Sequence, residues 1–423
     1  PVRRGSLLLM KKPLCVRMLL VACALPLSLQ GSVLAQQGAP EAPAVRNSSL
    51  PPVSQEMLAS AVRDGVPLLL AMQEPLAEGE GPKVQWAYEG VYRVQRQIPV
   101  GYRVGGSAIV ALALAHAPGL AEDAPRREAI ARAVGYICGE GKNHPLMSAA
   151  EYDAGYDVRG WGYIEAVALL SRLKTLGAVP EGMGDVVDAA LRDYVAALLA
   201  IEMPETGGWN YARPAGRDVK AAPSSFMTAR ALQALFEARA AGETVPADVI
   251  ERGLDFLETT RTTAGSVVYS GSSTPRSDLR SGDATPGAVG RMCSVEATLL
   301  LGGRGSVVHA RGAVDAFINH WQWLEARRQK TGTHVPPYGV APYYFMFAHF
   351  YAAQCVELLP EVERGEYRRR INALLFSVRE ENGSWNDRVF ERSAAYGTAM
   401  AISAIMQPAL TRSGYTKLIE APA

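Results

Sequence analysis

A short phrase that occurs twice constrains the fold of this chain more than any other feature. Residues 206–210 read TGGWN and residues 382–386 read NGSWN, and their tryptophans, Trp209 and Trp385, lie 176 positions apart. Each copy follows an amphipathic run and precedes a Ser-rich stretch that opens an apolar segment. Self-similarity of this kind is typical of repeat architectures, so the chain is predicted to contain several copies of one structural unit.

Apolar stretches fall into two alternating series. In the first, apolar residues recur at three- and four-residue steps, as in Ile250, Leu254 and Leu257, which predicts helices with one wet face. These helices are predicted over residues 56–72, 127–140, 186–201, 246–260, 310–328 and 364–380. The second series is small and apolar on nearly all sides, and its members open near residues 106, 161, 226, 293, 344 and 396. Such helices must be buried on all sides.

Six wet-faced helices that alternate with six apolar ones predict two concentric rings, with the apolar series inside. Residues 56–412 divided into six units give about 59 residues each. The 176 residues between Trp209 and Trp385 therefore span three such units. The predicted fold class is therefore all-α, an (α/α)6 toroid of about six helix-pair repeats, with an open helical solenoid as the alternative. Strand patterns are scarce, and residues 265–271 are expected to form a short hairpin arm at most.

The N-terminal segment has the pattern of a targeting signal. Lys11 and Lys12 precede an apolar run over residues 18–29, and small residues, SVLA, occupy 32–35. This order of charged, apolar and small residues predicts a signal peptide over residues 1–35, of which 1–9 are an upstream extension if Met10 is the start. The expected location is the bacterial periplasm or the outside of the cell.

Lipidation is the alternative for the N-terminus, since LVAC at residues 20–23 would place a modified Cys23; Arg17 leaves only five apolar residues before it, which favours plain secretion. Residues 36–54 are rich in Pro, Ala, Gln and Ser and predict a disordered linker. The toroid domain is expected over residues 55–415, followed by a C-terminal tail at 416–423.

The net charge of the chain argues against nucleic acid as a partner. The chain has 423 residues, 48% of them hydrophobic, which allows a large core, and its net charge of +1 gives no electrostatic footprint for nucleic acid. We expect no transmembrane segment, a monomer, and an unidentified small-molecule, lipid or glycan ligand. Beyond the signal, Cys138, Cys293 and Cys355 are expected to be buried thiols, of which one pair could be bridged.

The repeat resembles the one found in the α/α-toroids of squalene cyclases and protein prenyltransferases, which ends Gln-x-x-x-Gly-x-Trp. The matching glycines here are Gly207, Gly265, Gly332 and Gly383, with Trp209, Val267, His334 and Trp385 at the Trp position and Met203, Arg261, Arg328 and Arg379 at the Gln position. The Gln is therefore absent. Glycine lets the chain turn sharply off a helix end, and the Trp fills the gap between neighbouring units. The arginines either reach free helix carbonyls or are solvated charges.

The catalytic motifs of this family are not retained. GRMCSVEATLL at residues 290–300 resembles the Asp-Cys-Thr-Ala-Glu box of oxidosqualene cyclases, with Cys293 and Glu296 in matching places. Met292 stands where the resemblance places the protonating Asp, and methionine has no proton to donate. The Asp-x-Asp-Asp box of squalene–hopene cyclases is also missing from the sequence. A divergent terpene cyclase is therefore disfavoured.

The catalytic motifs of two other protein classes with this fold, the prenyltransferases and the complement-type thioester domains, are also incomplete in this sequence. In prenyltransferases zinc is bound by Asp-x-Cys and a later His; here Cys293 keeps the thiolate position, but Arg291 replaces the Asp and His349 would be the only other ligand. CGEG at residues 138–141 resembles the complement-type thioester motif but lacks its final Gln. We expect no metal and no cofactor.

Loops at the inner-helix N-termini would assemble any site, because free N–H groups and positive dipole ends point to one mouth of the ring. Three clusters, at residues 151–163, 277–291 and 333–349, carry acidic, Arg, Tyr and His side chains. The predicted catalytic residues are Asp157, Asp283, Tyr343 and His349, and the predicted ligand-binding residues are Tyr152, Asp153, Arg159, Trp161, Asp278, Arg291, Tyr338 and Tyr344.

Each cluster also has a purely structural interpretation. Asp153 and Asp157 suit the cap of the helix that begins near residue 160, and the acidic residues of 277–291 suit ion pairs that pin a long loop. Tyr343 and Tyr344 suit the inner wall, and His349 suits a packed, hydrogen-bonded position.

Two functions stay open beside the disfavoured cyclase. The first is a secreted binding or interaction module that keeps the ring without the cyclase acid. The second is a secreted carbohydrate-active enzyme, either a polysaccharide lyase or a glycoside hydrolase. Carboxylate pairs serve hydrolases, and Tyr, His and Arg can supply the base and the charge neutralisation of a uronate lyase.

Overall fold

The computed structural model describes residues 50–77, 80–148, 157–211, 222–270 and 282–412. Outer and inner helices alternate along these residues. In chain order they are α1 (Gln55–Ala71), α2 (Val100–His116), α3 (Ala124–Tyr136), α4 (Arg159–Leu176), α5 (Gly184–Ala200), α6 (Ser225–Ala240), α7 (Ala247–Thr259), α8 (Thr285–Leu301), α9 (Val307–Glu325), α10 (Tyr344–Glu357), α11 (Glu361–Phe376) and α12 (Ala394–Arg412). Short 3₁₀ turns lie at Pro145–Met147 and Glu391–Ser393, and a π turn extends α3 over Ile137–Gly141.

The inner helices form a closed ring. Each even-numbered helix packs against the next, and α12 packs against α2. Every residue of α4 from Arg159 to Leu173 is buried, whereas α7 buries a single stripe that includes Ile250, Leu254 and Leu257. The (α/α)6 toroid is thus confirmed, and closure excludes the open solenoid. None of the helices in the described ranges is both long and apolar enough to cross a membrane.

Two inner helices begin earlier than periodicity predicts. α2 begins at Val100 and α8 at Thr285, because glycines that look like loop signals lie inside their first two turns. A Cβ on Gly106 would lie 2.5 Å from the Trp86 carbonyl oxygen, and one on Gly287 would lie 2.5 Å from the Tyr338 carbonyl oxygen. These glycines therefore permit close backbone approach within a helix rather than breaking it.

One small sheet was not anticipated. Strands β1 (Glu74–Ala77) and β2 (Glu80–Gln85) form an antiparallel pair between α1 and α2. The expected hairpin arm at 265–271 instead contributes only isolated bridges, Arg261 with Val267 and Ser224 with Ser270, in the portion of it that the structure describes.

The repeated phrase links an outer helix to the next inner one through its tryptophan. The Trp209 indole N–H donates to the Leu198 carbonyl at 2.9 Å, while its backbone N–H donates to Thr228 Oγ1 at 2.9 Å. Trp385 repeats both bonds with Leu375 and Thr398, at 2.8 and 3.1 Å. A third copy, not anticipated, uses Trp86 with the Leu69 carbonyl and Ser107 Oγ, at 2.7 and 2.9 Å.

The four unit glycines, Gly207, Gly265, Gly332 and Gly383, all have left-handed backbones, with φ of 72°, 78°, 78° and 85°. This is the sharp turn off the helix end that the repeat predicts. Arg379 donates to the Gly383 carbonyl at 3.0 Å and stacks on Trp385, whereas Arg261 pairs with Glu296 of α8. Arg379 thus contacts a backbone carbonyl, as one interpretation of these arginines expects. Arg261 fits neither that interpretation nor the solvated charge, because it makes a part-buried ion pair.

Close packing at this phrase gives a testable prediction. A Cβ on Gly397, at the start of α12, would lie 2.3 Å from the Trp385 carbonyl oxygen. Gly397→Ala is expected to lower the free energy of unfolding by about 3 kcal/mol, because backbone must move. Urea unfolding measures this. Gly365→Ala is the matched control: it lies inside α11 with nothing within 4 Å of its Cβ, and should stabilise slightly. Equal midpoints for the two variants would contradict the packing argument.

Candidate functional site

Aromatic side chains from the first turns of five inner helices meet at one mouth of the ring. They are Tyr102 of α2, Trp161 of α4, Phe226 of α6, Tyr344 of α10 and Tyr396 of α12. Ring centroids lie 5.5 Å apart for Tyr102 and Trp161, 6.3 Å for Trp161 and Tyr396, and 5.4 Å for Phe226 and Tyr344. Because the positive ends of the helix dipoles converge here, this mouth favours anionic or hydrogen-bond-accepting groups.

The repeat supplies a second set of side chains to the same mouth. The residues two positions after Trp86, Trp209, Val267 and Trp385 are Tyr88, Tyr211, Tyr269 and Asp387. Tyr88 packs on Tyr396 and Tyr102 at 4.6 and 5.4 Å, and Tyr211 lies 6.3 Å from Phe226. The position is therefore equivalent in the fold, and one of its tyrosines is replaced by a carboxylic acid.

Asp387 is fully buried and incompletely bonded. The Tyr88 hydroxyl donates to its Oδ2 at 3.3 Å, while Oδ1 has no hydrogen-bond partner among the described residues. Burial raises the pKa of Asp387 to about 7, and the nearby charge of Arg388 and the Tyr88 bond offset only part of that effect. The side chain is thus poised to hold or release a proton near neutral pH.

Arg388 completes what we term the Asp387 cluster, together with Tyr88, Tyr102 and Tyr396. It is 3% exposed, its guanidinium lies 5.9 Å from the centre of the Tyr88 ring, and its Nη1 has no partner among the described residues. A buried carboxyl oxygen and a buried guanidinium nitrogen that both lack partners are costly in a folded protein, which points to a ligand that would bind both atoms.

On the other side of the mouth lies the Tyr343 cluster, formed by Tyr343, His334, Tyr269, Tyr344 and Phe226. Tyr343 Oη lies 3.1 Å from His334 Nε2, and His334 Nδ1 lies 2.6 Å from the Gly339 carbonyl oxygen. The His334 ring is 5.8 Å from Tyr343, 6.2 Å from Tyr269 and 6.1 Å from Tyr344. Since a carbonyl accepts only, Nδ1 carries the proton of the neutral imidazole, and Nε2 of that form accepts from the Tyr343 hydroxyl.

Asp283 and Arg291 support this cluster from behind. Asp283 Oδ1 accepts from the Tyr269 backbone N–H at 2.8 Å and from Arg291 Nη2 at 3.0 Å. Arg291 also donates to the carbonyls of Val267 and Gly282, so both side chains hold the loop that carries Tyr269. They therefore position the mouth, as the ion-pair interpretation of this loop expects.

Below the mouth the ring is filled by polar side chains. Arg230 of α6 donates Nε and Nη2 to the Glu165 carboxylate of α4, at 3.1 and 2.8 Å. One layer deeper, Gln233 and Gln354 exchange amide bonds of 3.0 Å, and Gln233 also donates to Thr298. A ligand would therefore rest against the ion pair rather than pass through the ring.

The predicted site residues divide between these places. Trp161, Tyr343, Tyr344, Asp283 and Arg291 lie at the mouth or directly behind it. Asp157 accepts the backbone N–H of Arg159, the first residue of α4, at 3.0 Å and forms an ion pair with its guanidinium, so it holds the start of α4 from one residue outside the N-cap, Val158. No hydrogen bond or ion pair among the described residues joins Asp157 to Asp283 or Tyr343.

Two further predicted residues pack on outer helix α9. His349 accepts from the Trp321 indole at 2.8 Å and packs on Phe317 at 5.0 Å, between α10 and α9; burial lowers its pKa to about 3. Tyr338 packs on Trp323 of α9 at 4.7 Å. His349 is therefore held between α10 and an outer helix, whereas the Tyr338 backbone also lies against Gly287 in the first turn of inner helix α8. Tyr152, Asp153 and Asp278 lie outside the described residues.

Asp387, Arg388, Glu165 and Arg230 were not anticipated, although the sequence carries a signal for each pair. Asp387 and Arg388 directly follow the repeated phrase. Glu165 and Arg230 stand four residues after Trp161 and Phe226, one turn deeper on helices that are otherwise almost wholly apolar. A charge at an equivalent position of two buried helices indicates a partner across the ring.

The family motifs contain no alternative centre. Met292, at the cyclase acid position, is buried in α8, and Cys138, Cys293 and Cys355 are buried free thiols. Within the described ranges, no group of three His, Cys, Asp or Glu residues could hold a metal ion.

The chain is similar in fold to several solved enzymes. No family model and no curated protein matches its sequence. Cellobiose 2-epimerase from Spirochaeta thermophila matches with a TM-score of 0.54 and 15% identity, over 85% of this chain and 97% of the epimerase. A D-mannose isomerase matches with 0.51 and 14%, over 84% and 98%. A type II terpene cyclase from Scytonema matches with 0.48 and 17%, over 84% and 99%.

These identities are too low to carry substrate or mechanism, and what they share with this chain is architecture. The resemblance inferred from the repeat is confirmed at that level. The protein is an α/α-toroid, with the fold of the solved D-mannose isomerase and cellobiose 2-epimerase.

Proposed function

We propose that the chain is a carbohydrate-active enzyme that binds a glycan at the inner-helix N-terminal mouth and uses Asp387 as a general acid. One observation carries this proposal. Asp387 is buried, its Oδ1 has no partner among the described residues, and its pKa is raised to about 7 beside the unpaired Nη1 of Arg388. Perturbed acids of this kind concentrate at active sites, where a raised pKa keeps the proton available.

The strength of the acid favours a sugar over a terpene. A carboxylic acid with a pKa near 7 suits protonation of an oxygen that leaves with its lone pair, such as a glycosidic oxygen. Protonation of an alkene carbon requires a much stronger acid, and the position that would supply it in a cyclase holds Met292. The geometry therefore supports glycan chemistry better than cyclisation.

The walls of the mouth fit the same substrate class. Sugars present apolar faces and polar edges, and the packed rings of Tyr88, Tyr102, Trp161 and Tyr396 lie beside the polar groups of Asp387 and Arg388. A hydrocarbon ligand would leave Asp387 Oδ1 and Arg388 Nη1 without partners, at a cost of several kcal/mol. A lipid-binding function is thus less well supported.

A binding module that lacks catalysis is the second candidate. The observation in its favour is the complete burial of Asp387, together with a ring interior filled by Glu165, Arg230, Gln233 and Gln354.

Whichever of the two functions holds, we propose that the protein is exported, since its N-terminal pattern is that of a signal peptide.

Asp387→Asn is the decisive variant for this proposal. The full chain is incubated with neutral gluco-, manno- and galacto-oligosaccharides and with oligouronates, and products are followed by mass spectrometry. We expect one class to be converted, and Asp387→Asn to lower kcat at least about 100-fold while the dissociation constant changes little.

Asp188→Asn is the matched control, because Asp188 pairs with Lys174 at 2.8 Å on the outer surface and should leave activity intact. Full activity of Asp387→Asn would reject the acid role. Binding of a glycan with no product from the wild-type chain would select the binding module instead.

A further inference from the structure

The Tyr343 cluster contains a second proton-transfer device, separate from Asp387. His334 Nδ1 is fixed by the Gly339 carbonyl, which leaves Nε2 as the acceptor for the Tyr343 hydroxyl. A hydroxyl bonded to a base that is itself oriented by a third group is the general arrangement of an activated side chain. His334 is exposed and Tyr343 is half-buried, so this pair borders the open part of the mouth.

We propose that Tyr343 and His334 abstract a proton from carbon, and that the glycan is therefore a uronate-containing chain cleaved by β-elimination. This inference rests on the proposed function and specifies its substrate class and reaction. Hydrolysis by a carboxylic acid does not require a Tyr–His relay, whereas removal of a proton next to a carboxylate does require a positioned base.

The remaining groups of the mouth fit the other needs of such a reaction. The C–H bond beside a carboxylate becomes acidic only when the carboxylate charge is neutralised, and Arg388 has an unpaired Nη1 for that purpose. Tyr211 lies next to the Tyr343 cluster. The centroid of its ring is 6.3 Å from that of Phe226, and the Phe226 centroid is 5.4 Å from that of Tyr343.

The elimination balances with these groups alone. Tyr343 Oη takes the proton from C5 of the uronate as its own proton passes to His334 Nε2. The C5–H electron pair forms the C4=C5 double bond, the C4–O glycosidic bond breaks, and Asp387 donates its proton to the departing oxygen. Exchange with solvent then returns a proton to Asp387 and removes one from His334.

The transfer through Tyr343 must be concerted. Burial and the neighbouring phenols of Tyr211, Tyr344 and Tyr269 raise the pKa of Tyr343 well above its ordinary value, so a free phenolate is disfavoured. A proton that arrives from carbon while another departs to His334 avoids that species. His334 is therefore a positioning residue that acts through Tyr343, and Tyr343 is the group that contacts the substrate.

The test uses the full chain with two probes, oligogalacturonate and alginate oligomers. Elimination yields an unsaturated uronate with a near-ultraviolet absorbance and no added water, and hydrolysis yields products that gain one water. We expect unsaturated product from one probe, a loss of at least about 100-fold in kcat for Tyr343→Phe, and a smaller loss for His334→Gln whose rate recovers as pH rises.

Tyr367→Phe is the matched control, since Tyr367 donates to Asp315 at 2.8 Å on outer helix α11 and should retain wild-type activity. His334→Gln, at an exposed position, keeps the test valid if Tyr343→Phe folds poorly. Cleavage with gain of water, undiminished in His334→Gln and Tyr343→Phe, would overturn this inference and leave the proposed function standing. If no glycan of any class is converted, both fail together.

Discussion

Glu165→Ala is expected to lower the free energy of unfolding by about 3–5 kcal/mol, because it leaves the Arg230 guanidinium buried without its bidentate partner. The two side chains are 7% and 12% exposed, so water replaces little of the lost interaction. Glu237 offers Arg230 only a single, longer contact of 3.7 Å. Urea unfolding followed by circular dichroism measures the change.

The surface pair Arg311 and Glu363 provides a matched control for burial. Its two bonds, both 2.6 Å, have the same bidentate geometry, but the side chains are 34% and 28% exposed. Glu363→Ala should therefore change the unfolding midpoint little, since exposed ion pairs are screened by solvent. Similar losses for Glu165→Ala and Glu363→Ala would contradict the argument that burial decides the effect.

The helical ring could be predicted because each helix and each turn is marked by residues within its own short stretch of sequence. Wet-faced and apolar periodicity is written into each helix, and Gly207 and Gly383 mark equivalent turns whatever surrounds them. The boundaries of α2 and α8 were misplaced, since a glycine such as Gly106 looks the same in a loop and in a helix pressed against a neighbouring carbonyl. Only tertiary packing distinguishes the two cases.

The candidate site was partly predictable for a related reason. Residues at the inner-helix N-termini, such as Trp161 and Tyr344, must lie at the mouth once the ring is accepted. Whether a polar residue there serves chemistry or structure depends on its partner. The sequence does not show that Asp157 pairs with Arg159 at the start of α4 rather than with a residue across the mouth. Asp387 could have been inferred from the repeat, because it stands two positions after a unit tryptophan, where other units carry a tyrosine.

The second large effect concerns Asp387 and pH. We expect Asp387→Asn to be more stable than the wild type by about 4 kcal/mol at about pH 8, with the difference small below about pH 4. Burial raises the pKa of this carboxyl from 3.8 in the unfolded chain to about 7 in the folded protein. Between these values the unfolded chain ionises while the folded protein stays protonated, so wild-type stability falls as pH rises, and above about pH 7 the difference is constant.

Denaturant unfolding of both proteins across this pH range isolates the Asp387 contribution, because every other carboxyl is common to the pair. A difference that does not vary with pH would mean that Asp387 titrates as an ordinary carboxyl, and the proposed general acid would lose its physical basis. If Asp387→Asn instead gains stability at neutral pH and loses turnover, the carboxyl is kept for catalysis at the expense of stability. Burial of Asp387 destabilises the folded ring, so its presence there must be explained by what the carboxyl does rather than by what it holds together.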